Sequence, residues 1–100
     1  MASNPLIIIL DQATKEQIDA VHQIVKENAN GWWHHFTNTW MLFSERNPDK
    51  WSDLIKDAIK EGNTSILIFA LPPEKKQRLW QYWGIDAEKR TEWIKKNYGP

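Results

Sequence analysis

Leu6-Ile7-Ile8-Ile9-Leu10 is an unbroken aliphatic run, rich in β-branched residues and closed by Asp11. It is the feature that most restricts what this chain can become. A strand that is apolar at every position, not at alternate ones, has no face for water. It predicts a central strand with material on both sides of the sheet. Ser65-Ile66-Leu67-Ile68-Phe69-Ala70-Leu71 is a second run of the same kind, closed by Pro72-Pro73.

Between these runs the pattern changes period. Thr14-Lys15-Glu16-Gln17 reads as a capping box, in which the Thr14 hydroxyl takes an early helical N–H and Gln17 reaches back. Ile18, Val21, Ile24 and Val25 follow at helical spacing, which predicts a helix from Lys15 to about Asn28, stopped by Asn30-Gly31. Asn47 as cap, Pro48 at the first helical position and Asp49 against the helix dipole open a second helix. Its stripe is Trp51, Leu54, Ile55, Ala58 and Ile59, and Gly62 stops it.

A tryptophan-rich hairpin lies between the two helices. Strand two is predicted over about Trp32 to Thr37 and strand three over about Trp40 to Ser44, with Asn38-Thr39 as a tight turn. Alternation across that turn sorts Trp32, His34, Phe36, Met41 and Phe43 onto one face, and Trp33, His35, Thr37, Trp40 and Leu42 onto the other. Both sets are largely apolar, so the second face needs a cover: the C-terminal helices, another subunit or a ligand.

The predicted fold is α+β: a ferredoxin-like βαββαβ two-layer sandwich with strand order 4-1-3-2. One domain spans 1–100, with a core of about 6–71 and a helical extension over 73–98 of one or two helices. Pro73 can start a short helix carrying Leu79, Trp80 and Trp83 to Gly84, and Asp86 can cap a last one carrying Trp93, Ile94 and Tyr98. The fourth strand is apolar although this order puts it at an edge, a liability that the C-terminal segment or a partner subunit would cover.

Thirteen basic residues balance thirteen acidic ones, which argues against non-specific binding along duplex phosphate. The chain has no cysteine, hence no disulfide framework, thiolate metal site or cysteine nucleophile. Leu6 to Leu10 is too short for a signal core or a membrane span. The expectation is a cytoplasmic protein with no membrane contact.

Ile9-Leu10-Asp11 at a strand end, a capped helix, then Gly31-Trp32-Trp33-His34-His35 leading to Thr39-Trp40-Met41-Leu42 resembles the small CRISPR-associated subunit of spacer-acquisition complexes and its ferredoxin-like relatives. The resemblance covers roughly residues 6 to 71. It implies a homodimer built on sheets, a phage or bacterial-defence setting and, in the nuclease members, a magnesium ion held at the dimer interface by an aspartate that matches Asp11. Read from the residues alone, Asp11 before a helix is also a common turn or capping residue.

No Gly-rich phosphate loop and no serine-nucleophile motif is present. His34 and His35 are adjacent in a strand and point to opposite faces, and His22 is distant in sequence, which disfavours zinc. The leading expectation is a non-enzymatic, oligomeric binding protein. Trp33, His35, Thr37 and Trp40 would form a stacking face for a nucleotide, a short nucleic acid or a protein partner. Alternatively these side chains pack beneath the C-terminal helices against Trp80, Trp83 and Trp93. A magnesium-dependent nuclease using Asp11 and a pure protein–protein inhibitor are the other expectations. Only the nuclease needs a cofactor.

Overall fold

The computed structural model describes residues 3–72 and 79–99. Its elements are β1 (Asn4–Asp11), α1 (Lys15–Asn28), β2 (Gly31–Phe36), β3 (Thr39–Ser44), α2 (Pro48–Ile55), β4 (Ser65–Ala70) and α3 (Ala87–Asn97). A 3-10 turn over Lys56–Ala58 tightens the end of α2. The fold is α+β, with one four-stranded antiparallel sheet in the order β2-β3-β1-β4. Read from the other edge this is the predicted 4-1-3-2 order, and the arrangement is compatible with a ferredoxin-like domain. No helix among the described residues is long and apolar enough to cross a membrane.

The capping box forms as read. The Gln17 N–H donates to Thr14 Oγ1 at 3.1 Å, and the Thr14 N–H donates to Gln17 Oε1 at 2.9 Å. Gln17 does more than cap, since its Nε2 donates to the Glu61 carbonyl and its Oε1 accepts from Thr64 Oγ1. The start of α1 is thereby tied to the turn that precedes β4. Two other caps work through backbone alone. Asn47 and Asp86 occupy the cap positions of α2 and α3, but neither side chain caps its helix. Asp86 adopts a left-handed conformation at φ 49°, and its carbonyl accepts the Arg90 N–H.

The main core lies between the sheet and α1 and α2. Leu6, Ile8 and Leu10 point into it, opposite Leu42 and Trp40 on β3 and Ile68 and Ile66 on β4. Val21 and Val25 of α1 and Trp51 and Ile55 of α2 close it from above. The Trp51 indole N–H, buried there, donates to Ser44 Oγ at 2.8 Å, so this large side chain leaves no orphaned donor.

Ile7 and Ile9 face the opposite side of the sheet and are only half-buried. The expectation of a first strand sealed on both faces is therefore met fully on one face and partly on the other. α3 is the cover, and it lies over the β2 end of the second face. The predicted short helix ending at Gly84 is corrected in part: Leu79 to Trp83 run without helical structure, and the portion over 73–78 lies outside the described residues. Trp83 is 94% exposed and packs under nothing. Far from α3, Leu67 and Phe69 of the β4 edge stand 53% and 50% exposed on the same face as Ile7 and Ile9.

Candidate functional site

Two residues in β2 decide how the hairpin presents its side chains. Gly31, Trp32 and Trp33 pair with Phe43, Leu42 and Met41, but Phe36 pairs with Thr39, so the register slips by one residue between Trp33 and Phe36. That slip is a β-bulge at His34-His35, where two residues stand against one on β3. The turn is Thr37-Asn38 rather than Asn38-Thr39. Asn38 bolts its tip to β1: its carbonyl accepts the Leu10 N–H at 2.9 Å and its Nδ2 donates to the Leu10 carbonyl at 3.0 Å.

The bulge inverts the first half of β2 relative to simple alternation. The predicted common face of Trp33, His35, Thr37 and Trp40 does not exist. Trp40 is wholly buried in the main core under α1 and α2. Trp33 lies on the opposite side of the sheet with Met41, Ile94 and Tyr98, and is 6% exposed. His35 is exposed beside the Trp33 ring, with centroids 5.4 Å apart. Thr37 is exposed in the turn. Asp11 is exposed at the end of β1, opposite Ser65.

A histidine–tryptophan cluster forms on the helix side instead. His34 stacks on Trp40 with centroids 4.2 Å apart and ring planes 6° from parallel, and His22 of α1 lies 4.9 Å from His34. The Trp40 Nε1–H donates to His22 Nδ1 at 3.1 Å. Indole is a donor only, so His22 Nδ1 carries a lone pair and the ring's proton sits on Nε2. His34 Nδ1 is 3.0 Å from the Thr39 carbonyl oxygen, an acceptor, which places the proton on Nδ1 there. Sequence distance had set His22 aside. Its position one residue after Val21 and four after Ile18 puts it at the border of the α1 stripe, which is the signal that could have found it. Among the described residues, no group of three or more His, Cys, Asp or Glu side chains is placed to hold a metal ion.

His22 of the cluster, together with His35 beside Trp33, gives the fold a pH dependence of definite sign. Burial, then the nearby His34 and Lys26, push His22 below the ordinary value of 6.5, with Asp19 opposing weakly. Burial, then Arg90, Lys89 and His34, push His35 the same way. The unfolded chain therefore binds more protons than the folded one just below pH 6.5. This share of stability is full above pH 6.5 and declines as the pH falls towards the depressed folded values. Urea midpoints should drop between pH 7.5 and 5.5, and a His22→Gln, His35→Gln double variant should show a flatter profile. Equal slopes would show that neither histidine carries the effect.

The second face holds an apolar opening. A cavity of about 460 Å³ lies between the sheet, α3 and the segment that precedes α3. Ile7, Trp33, Phe36 and Met41 form its floor, Ile94 and Tyr98 one wall, and Leu71, Leu79, Trp80 and Tyr82 the rim. The Phe36 ring meets Trp33 edge-on, with centroids 5.0 Å apart, and lies 6.2 Å from the Tyr82 ring. Sequence reasoning selected Trp33 for a site, but with the wrong companions. Met41 and Ile7 reach the same face only because β1, β3 and the bulged β2 align, and no local pattern reveals that. No protein-family model matches this chain, and no curated protein matches it. Function therefore rests on the site itself.

Several polar side-chain atoms of the lining are taken up by backbone carbonyls. Trp33 Nε1 donates to the Arg90 carbonyl, Trp80 Nε1 to that of Gly99 at 3.0 Å, and Tyr98 Oη to that of Pro72 at 2.9 Å. Tyr82 Oη donates to the Ile85 carbonyl at 2.7 Å and accepts from Arg90 Nη1 at 3.1 Å. Burial raises the Tyr98 hydroxyl above its usual range, which keeps it protonated as a donor. The arrangement can enclose a molecule. Among the described residues that line it there is no serine, cysteine, histidine, aspartate or glutamate.

Proposed function

We propose that this chain is a small, non-enzymatic, cytoplasmic binding protein on a ferredoxin-like scaffold, and that it takes its ligand on the second face of the sheet beneath α3. The cavity of about 460 Å³ carries this reading, because preformed, mostly apolar hollows of a few hundred Å³ are what small-molecule sites look like. The experiment is a thermal-shift screen of the full chain against neutral apolar compounds, nucleotides and short oligonucleotides. A ligand at about one hundred times its Kd adds about 2.7 kcal/mol of stability, an easily measured rise in melting temperature. If no compound of any class raises it, the binding reading is wrong.

The protein also pairs with itself in this reading, along β4. Ser65–Ala70 forms one edge of the sheet, contains neither charge nor proline, and exposes Leu67 and Phe69. An antiparallel pairing centred on Ile68 sets Leu67 of one copy opposite Phe69 of the other. Sedimentation velocity should give a dimer, and Leu67→Lys should give the monomer. Kinship with the CRISPR-associated subunit is part of the same proposal, supported by the strand order and by Asp11 closing β1. A magnesium-dependent nuclease at Asp11 is favoured by nothing beyond the exposure of that side chain at the strand end.

A further inference from the structure

We infer that the cavity under α3 selects an uncharged, apolar molecule, aliphatic or aromatic, and rejects the phosphate of a nucleotide. This rests on the reading of the second face as a binding site and names the ligand class for it.

The inference comes from what the lining offers and what it withholds. The floor is Ile7, Trp33, Phe36 and Met41, all carbon and sulfur towards the opening except for one indole N–H. That N–H donates to the Arg90 carbonyl. The hydroxyls and second indole of the walls are likewise used by backbone carbonyls. Thr39 Oγ1 donates to Asn38 Oδ1, and Gln81 Nε2 donates to the Tyr82 carbonyl. Among the described residues that line the cavity there is no lysine, arginine or histidine.

A polar group brought into such a place without a partner is costly, and an ionised one far more so. Among the described residues that line the cavity, a phosphate would meet no cationic side chain. A neutral apolar molecule loses nothing of the kind and gains the aromatic walls, including the edge-on pair of Trp33 and Phe36. Arg90 does not line the cavity, and its Nη1 donates to Tyr82 Oη on the rim. Specificity then comes from size and shape, and a change of one side chain in the floor should register strongly.

The test uses the full chain with N-phenyl-1-naphthylamine, a neutral fluorescent probe, and adenosine monophosphate as the charged one. Met41→Phe and Ile94→Phe each reduce the space, the second serving if the first fails to fold as judged by circular dichroism. The neutral probe should bind, adenosine monophosphate should neither bind nor displace it, and each folded variant should weaken the probe by at least about tenfold, the scale on which a hydrophobic pocket registers small changes in fit. Probe binding unchanged in both variants would place the probe elsewhere and overturn the inference. Binding of adenosine monophosphate without the neutral probe would overturn the ligand class while leaving the second face as a binding site. Binding of neither would reject the site and the inference with it.

Discussion

Replacing Trp40 by alanine is expected to lower the melting temperature by roughly 12–40 °C, or to remove the cooperative transition altogether. Trp40 is fully buried, faces Ile8 across β1 and β3, stacks on His34 and donates to His22. Truncating a buried tryptophan costs about 3–5 kcal/mol, because the transfer term is lost and a cavity is left. Domains of this size have only about 5–15 kcal/mol in total. Each kcal/mol moves the midpoint by roughly 4–8 °C. Trp40→Phe keeps most of the packing and loses the indole N–H, so it should be much milder. A midpoint for Trp40→Ala within a few degrees of the parent would show that Trp40 is not in the core, and the hairpin would have to be rebuilt in the opposite register.

Trp33→Ala should behave differently, although the two residues were expected to share a face. Trp33 anchors α3: its indole donates to the Arg90 carbonyl and its ring packs with Ile94 and Tyr98. The truncation again removes about 3–5 kcal/mol at most. The loss falls on a layer separated by the sheet from α1 and α2. Local opening of α3 is the expected result, with the main core intact. Hydrogen exchange should show amides of Ala87–Asn97 losing protection while those of α1 keep it, and N-phenyl-1-naphthylamine binding should vanish. Equal loss of protection in α1 and α3 would contradict the division into two cores.

Much of this division was readable before the fold was known, and the unread part has specific causes. Leu6 to Leu10 announced a central strand because no half-solvated strand needs five aliphatics in a row. Thr14 and Gln17 announced the start of α1 because the capping box is local chemistry. The side of the sheet on which Trp33 stands is not local. It depends on one extra residue at His34-His35, which leaves no mark in a pattern of hydrophobicity because Trp, His and Phe are all tolerated there. Once parity is lost, every companion of Trp33 is misassigned, and a stacking face built from Trp33 and Trp40 falls apart. The meeting of His22 with His34 escaped for a related reason. It joins a helix border to a bulge, and sequence spacing carries no information about either distance.

The bulge has a further consequence for how this chain can vary. It acts as a half-period phase shift between two wave trains of side chains, one filling the main core and the other the layer under α3. A change of one residue in each strand of the hairpin preserves the phase. Deleting one of the two bulged residues would leave Trp33 opposite Met41 and Phe36 opposite Thr39, but a single insertion or deletion elsewhere between Trp33 and Trp40 would drive one strand's aromatic rings into the wrong layer. Length, more than composition, is therefore what variants of this hairpin must conserve.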